Sequence, residues 1–167
     1  MQQIWAPWRI TYIESEPRDG GCIFCDKIRE LDARSALVLA QSEYSLVMLN
    51  KYPYSNGHLL VAPKRHEGRL EALPSDEYQD LSRALRAAVK IVLKALSPGG
   101  INVGMNLGRC AGAGIEDHLH WHIVPRWEGD TNFMPVVAET RVIPQHLLDS
   151  YDRFLPFFED FLPGKDA

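Results

Sequence analysis

HLHWHIVPRW (residues 118–127) places His118, His120 and His122 at every second position, in a chain with six histidines in all. Side chains two apart share one face of a β-strand, so the alternation predicts a strand starting at His118. Leu119, Trp121 and Ile123 then point the other way, into a core. The histidine face lines a cleft. Several desolvated imidazoles on one face would each need a partner, so three together point to chemistry. Metal ligation, proton transfer and nucleophilic attack are all open to them.

Working outward, INVGMNL (101–107) reads as the preceding strand. The glycine-rich GRCAGAG (108–114) connects it to the histidine row. Its backbone N–H groups can converge on an anion, and with Arg109 and Arg126 flanking, a phosphate is the favoured guest. ALVLAQ (36–41) and YSLVMLN (44–50) predict a hairpin turning at Ser42 and Glu43. KYPYSNG (51–57) is a loop by its Pro, Asn and Gly content, and HLLVAPK (58–64) a third strand. Ser75 is the expected N-cap of a long helix, with Asp76 and Glu77 in its first turn. Tyr78, Leu81, Leu85, Val89, Val92 and Leu96 recur at steps of three and four, and Pro98-Gly99-Gly100 ends the helix. After a loop, RWEGDTNFMP (126–135), a short strand and then an amphipathic helix from about Gln145 to Phe161 are expected. The order predicts an α+β fold with an antiparallel sheet. Residues 1–21, with Trp5, Trp8 and Tyr12, read as an arm over the domain, 22–143 as the domain, and 144–167 as a C-terminal helix and tail.

The composition is that of an ordinary globular domain, with 46% apolar and 24% charged residues and a net charge of −4. The acidic balance argues against a dedicated nucleic-acid binder. No apolar run is long enough for a membrane span, and no secretory leader is visible. Three cysteines, two of them in CIFC (22–25), favour a reducing compartment, the cytoplasm, over a disulfide framework. CIFC followed by a short helix over DKIREL (26–31) is open to three readings: a redox pair, half of a metal site, or two small buried residues. Cys110 is read as a chance small residue and His146 as a surface position on the last helix. Trp121 and the run Leu46, Met48 and Leu49 are read as core, though one face of that strand could line a purine pocket. Trp127 is a candidate to fold over a substrate or across a dimer.

The row His118-Leu-His120-Trp-His122-Ile-Val resembles the motif of the histidine-triad nucleotide-binding family. Asn50 followed by His58 within GHLLVAP, CIFC, PKRH (63–66) and Asn106 match that family in the same order. WAPWR near the N-terminus and PRWEGDTNFMPV after the row resemble its bacterial branch of diadenosine-polyphosphate phosphorylases and related hydrolases. The resemblance implies an antiparallel sheet of about five strands with one long helix and a C-terminal helix, the sheet continuing across a homodimer. It implies an adenine nucleotide or dinucleoside polyphosphate as substrate, and His120 as a nucleophile forming a nucleotidyl-histidine. His122 and Asn106 would assist at the phosphate. Asn50, His58, Gly112, Gly114, Arg109 and Trp127 would contact substrate. Carried over from zinc-bearing relatives, Cys22, Cys25, His66 and His118 would hold a structural zinc. Many members carry Gln and Ser or Thr four and three residues before the first histidine. Here those positions are Gly114 and Ile115, which leaves the phosphate to backbone amides or Asn106. The alternatives to dinucleotide cleavage are a nucleoside phosphoramidate hydrolase and a nucleotide-binding module with slow turnover.

Overall fold

The computed structural model describes residues 21–130, 145–159 and 161. The N-terminal arm, the short strand expected between the RWEGDTNFMP loop and Gln145, and the end of the tail lie outside the described residues. Helix α1 (Ile23–Arg29) is followed by a single turn, α2 (Ala33–Ala36), then β1 (Val38–Gln41), β2 (Ser45–Leu49) and β3 (Leu59–Pro63). The long helix α3 (Ser75–Leu96) leads to β4 (Gly100–Met105) and β5 (Trp121–Arg126), and α4 (Leu147–Phe158) closes the described chain. The five strands form one sheet in the order β1-β2-β3-β5-β4, antiparallel throughout, as the sequence predicts.

Strand parity divides the sheet into two faces. Val47, Leu49, Leu59, Val61 and Ile123 face α3 and α4, where Leu81, Ala84, Ala88, Val92, Tyr151 and Phe154 complete the larger core. Val38, Leu46, Met48, Leu60 and Ala62 face the opposite way and pack on Phe24 of α1. Leu60 pairs with His122, so the second histidine face is this smaller, α1-covered side. Leu46 and Met48 therefore lie on the histidine side and Leu49 on the helix side, all three buried.

Several boundaries differ from the sequence reading. Residues 33–36 make a helical turn capped by the Asp32 carboxylate, and the strand begins only at Val38, after Leu37 at φ 62°. Both cysteines belong to the start of α1, Cys22 as its N-cap residue and Cys25 in its first turn. Ser75 is the first residue of α3 and makes no cap; Pro74 precedes it. The buried stripe of α3 runs through its alanines, while Tyr78 is exposed. Small residues let this helix lie close to the sheet. Asp80, also buried, accepts hydrogen bonds from Ser45 Oγ at 2.7 Å and Tyr44 N at 3.3 Å, tying α3 to the β1–β2 turn. His146 precedes α4 and caps it, Nδ1 accepting from Leu148 N at 3.3 Å.

The histidine strand starts three residues later than expected. The β3 ladder reaches Trp121 opposite Val61 and goes no further along β5. Beyond that point the His118 imidazole takes the Pro63 carbonyl at 2.8 Å, and Leu119 N donates to Glu67 O at 2.8 Å. A side chain replaces the backbone as the ladder's donor, so the strand stops while the alternation of faces continues.

Candidate active site and metal cluster

His118 and His120 are 0% and 6% exposed, and both rings lie against Phe24, at 4.8 and 5.0 Å between centroids. His120 Nδ1 stands 2.9 Å from the carbonyl oxygen of His118. A carbonyl only accepts, so Nδ1 carries the proton and Nε2 keeps its lone pair. Burial lowers the His120 pKa, with the His118 carbonyl opposing, so the ring is neutral near pH 7. A neutral imidazole with a free Nε2 can act as a nucleophile.

His122 is held differently. His58, fully buried, places Nε2 at 3.0 Å from His122 Nδ1. His58 Nδ1 accepts from the backbone N–H of Tyr54 at 3.0 Å and lies 3.3 Å from Asn50 Nδ2. With Nδ1 accepting, a neutral His58 bears its proton on Nε2 and donates it to His122 Nδ1. His122, if neutral, then bears its own proton on Nε2. Its ring meets that of His120 at 4.9 Å and 67°. The two rings are thus complementary, one offering a lone pair and the other an N–H.

The other side of His120 is a cluster of soft donors. Cys22, Cys25, His66 and His118 bring their ligand atoms within 4.8 Å of one another. His118 Nδ1 lies 3.2 Å from Cys22 Sγ and 3.7 Å from Cys25 Sγ, and His66 Nδ1 lies 3.5 Å from Cys25 Sγ. Metal–ligand bonds of about 2.0–2.3 Å give tetrahedral edges of roughly 3.3–3.8 Å. The spacings and the two-sulfur, two-nitrogen donor set fit a metal ion. Donation from His118 Nε2 to Pro63 leaves Nδ1 as the ligand atom. Burial pushes the His118 pKa down to about 4, so the ring is neutral, as a ligand must be. Burial, then the adjacent Cys22, raises the Cys25 thiol.

Not every expected site residue converges here. Asn106 donates to Gly112 O at 3.3 Å and so braces the glycine loop. That loop turns through Gly108 at φ 78° and Gly112 at φ 90°, a backbone that favours glycine, and Gly114 is exposed. Arg109 is engaged by Glu116, Nε to Oε1 at 3.2 Å, and Arg126 by Asp130 and Asn102. Arg126 shares strand parity with His122. Trp127 shares strand parity with Ile123 and packs on the helix-side core, away from the histidine face. Trp121 packs on that same core, as expected. Asn50 turns its side chain to His58 and to Tyr52 N, at 2.9 Å. Two residues escaped the sequence reading. Phe24 is hidden inside CIFC. Tyr54, whose ring stacks on His122 at 5.7 Å and 18°, sits in a stretch legible only as loop.

The HIT domain family model matches residues 32–129. The AP-4-A phosphorylase of Mycobacterium tuberculosis is 37% identical over 157 residues, 90% of this chain and 80% of that protein. The adenosine 5′-monophosphoramidase hnt1 of Schizosaccharomyces pombe is 39% identical over 105 residues, 63% of this chain and 74% of that protein. A crystal structure of a hypothetical histidine triad nucleotide-binding protein from Sulfolobus tokodaii superposes with a TM-score of 0.63 at 30% identity, covering 82% of this chain and 89% of that one. A zinc-bound histidine triad family protein from Mycobacterium smegmatis, 22% identical, shares the fold with a TM-score of 0.62 over 83% of this chain and 93% of that one.

Proposed function

The chain belongs to the HIT domain family, and from that premise we propose that it is a nucleotidyl-transfer enzyme cleaving a dinucleoside polyphosphate at its α-phosphorus. His120 Nε2 attacks the phosphorus. A P–N bond forms, and the P–O bond to the nucleoside polyphosphate breaks, its electron pair leaving on oxygen. The imidazole becomes cationic as the bond forms, and the His118 carbonyl on Nδ1–H offsets that charge. His122 Nε2–H donates to a phosphate or leaving-group oxygen. An oxygen of inorganic phosphate or water then attacks the phosphorus and returns the electron pair to Nε2. Asn106, Gly112 and Gly114 shape the anion-binding loop, and Arg109 can reach distal phosphates only by leaving Glu116. Asn50 and His58 serve the site through His122.

The single observation that carries this reading is the His118–His120 hydrogen bond, which exposes a neutral nitrogen lone pair beside a ring poised to donate. A nucleoside polyphosphate is a good leaving group and needs little protonation; an amine needs a general acid far more. Identity to the Mycobacterium tuberculosis protein over most of the chain supports the first substrate and makes phosphate the favoured acceptor. We assign the four-donor cluster to a structural zinc at Cys22, Cys25, His66 and His118, tying α1 to the catalytic segment. The outer strand β4, with Asn102, Val103 and Gly104 exposed, is the edge across which a homodimer would extend the sheet. No described helix is long and apolar enough to cross a membrane, and paired thiols fit the reducing cytoplasm.

The test is a product assay on diadenosine tetraphosphate with and without inorganic phosphate. ADP formed only with phosphate establishes phosphorolysis, and AMP with ATP in water establishes hydrolysis. Turnover of a nucleoside phosphoramidate alone would replace this reading with the amine one. Micromolar AMP binding without turnover of either would leave a binding module.

A further inference from the structure

We propose that Tyr54 is a positioning residue for His122, its ring fixing the plane in which the imidazole offers Nε2–H to the substrate. The proposal rests on the reading above, in which that N–H meets a phosphate or leaving-group oxygen.

Tyr54 touches both members of the His58–His122 pair. Its backbone N–H donates to His58 Nδ1 at 3.0 Å. Its ring lies 4.7 Å from the His58 ring and 5.7 Å from that of His122, in the second case nearly parallel at 18°. The hydrogen bond from His58 pins only Nδ1 of His122. Rotation about the terminal torsion of a histidine is broad and a hydrogen bond tolerates bending, so the bond at Nδ1 by itself sets the ring plane only loosely. An aromatic face stacked on the imidazole removes that freedom. The His120 ring, edge-on at 67°, closes the clamp from its own side. With Nδ1 held toward His58 and the plane held by Tyr54, the direction of Nε2–H is set. The ring face makes these contacts, so a phenylalanine can replace it. The loop contributes through the backbone amide of Tyr54 as well, and that part survives any side-chain change.

The experiment compares the full-length protein with Tyr54→Leu and Tyr54→Phe, with Tyr54→Met standing in should the leucine variant not fold. Steady-state kinetics on diadenosine tetraphosphate are paired with nitrogen-15 NMR of the histidine rings. Tyr54→Leu is expected to lower kcat roughly ten-fold, the scale of a small misplacement at a reacting centre. KM stays within about two-fold, because ground-state binding is untouched. Tyr54→Phe restores kcat. In the spectra His122 is an Nε2–H tautomer in the native protein and in Tyr54→Phe, and is broadened or mixed in Tyr54→Leu, while His120 remains Nδ1–H throughout. Unchanged kcat and unchanged His122 signals in Tyr54→Leu overturn the proposal. So does a loss confined to KM, or a collapse of the His120 and His122 signals together, which marks a purely structural role. If the native protein turns over no dinucleoside polyphosphate, the proposed function fails, and the ring spectra still decide the role of Tyr54.

Discussion

The carbonyl oxygen of His118 lies 2.9 Å from Nδ1 of His120, while the imidazole of the same His118 faces Cys22 Sγ at 3.2 Å. One residue therefore belongs to both halves of the site. Its side chain joins the four-donor cluster, and its backbone sets the tautomer of the ring beside it. Pro63 at the end of β3 anchors the third point, accepting from His118 Nε2. The position of the His120 lone pair depends on a residue fixed from three directions, none of which is the substrate.

His120→Ala removes the only group given a covalent role. Turnover of diadenosine tetraphosphate is expected to fall at least about a thousand-fold, the usual scale for deleting a nucleophile. AMP binding should persist, since an attacking lone pair acts in the transition state and is not needed to hold the ground state. Equilibrium binding alongside a rapid-quench search for protein-bound nucleotide measures both. A native protein in which the nucleotide is attached at a residue other than His120 overturns the assignment.

Cys22→Ser tests the metal cluster. Metal analysis of the native protein is expected to give about one zinc per chain, as a closed four-ligand site holds one ion. The serine variant should lose it, along with roughly 3 kcal/mol of stability, or about 10 °C in Tm for a chain of this size. Because His118 also holds His120, kcat should fall even at temperatures where the variant stays folded. A metal-free native protein ends this assignment.

Much of this was legible in the residues. Period-two alternation identified the histidine strand, short apolar runs between turn signals identified the other four, two of them buried along their whole length, and steps of three and four identified α3. The limits of β5 were not legible. His118 replaces a backbone donor with its side chain at Pro63, and nothing in the spacing announces that exchange. The four metal donors could be assembled only through family resemblance, since Cys25 and His66 are joined by tertiary contact. Tyr54 was hidden for a similar reason: a loop residue acquires its role from what the fold brings beside it. The acidic partners of Arg109 and Arg126, Glu116 and Asp130, were not legible, because charge in a sequence does not reveal what it pairs with. Trp127, one residue past the end of β5, packs on the helix-side core, a contact that spacing alone does not announce.

Gly57→Ala probes the junction between the Tyr54 loop and β3. Gly57 has φ 72°, where a Cβ is strained, and an added Cβ would meet Leu96 and come within 3.2 Å of Phe154. Left-handed strain and overpacking against α3 and α4 together are expected to cost about 3 kcal/mol. Urea unfolding of the native and variant proteins measures it. An unchanged midpoint would mean that α4 can move off this loop freely.

His58→Ala and His58→Gln separate the donor chain from mere packing. His58 receives N–H from Tyr54 and, by that constraint, gives its own to His122 Nδ1. Alanine removes the donor, and His122 can then place its proton on either nitrogen. Loss of an orienting hydrogen-bond partner typically costs about 10–100-fold, and kcat on diadenosine tetraphosphate should fall within that range. Glutamine can accept at its oxygen from Tyr54 and donate from its nitrogen, so it should recover a good part of the loss. A substrate with an amine leaving group should suffer more from the alanine change than one with a polyphosphate, because it depends more on a correctly placed N–H. Measuring kcat for both substrates with both variants decides the point. Equal losses across the two substrates and no recovery with glutamine would show that His58 only fills space beneath His122.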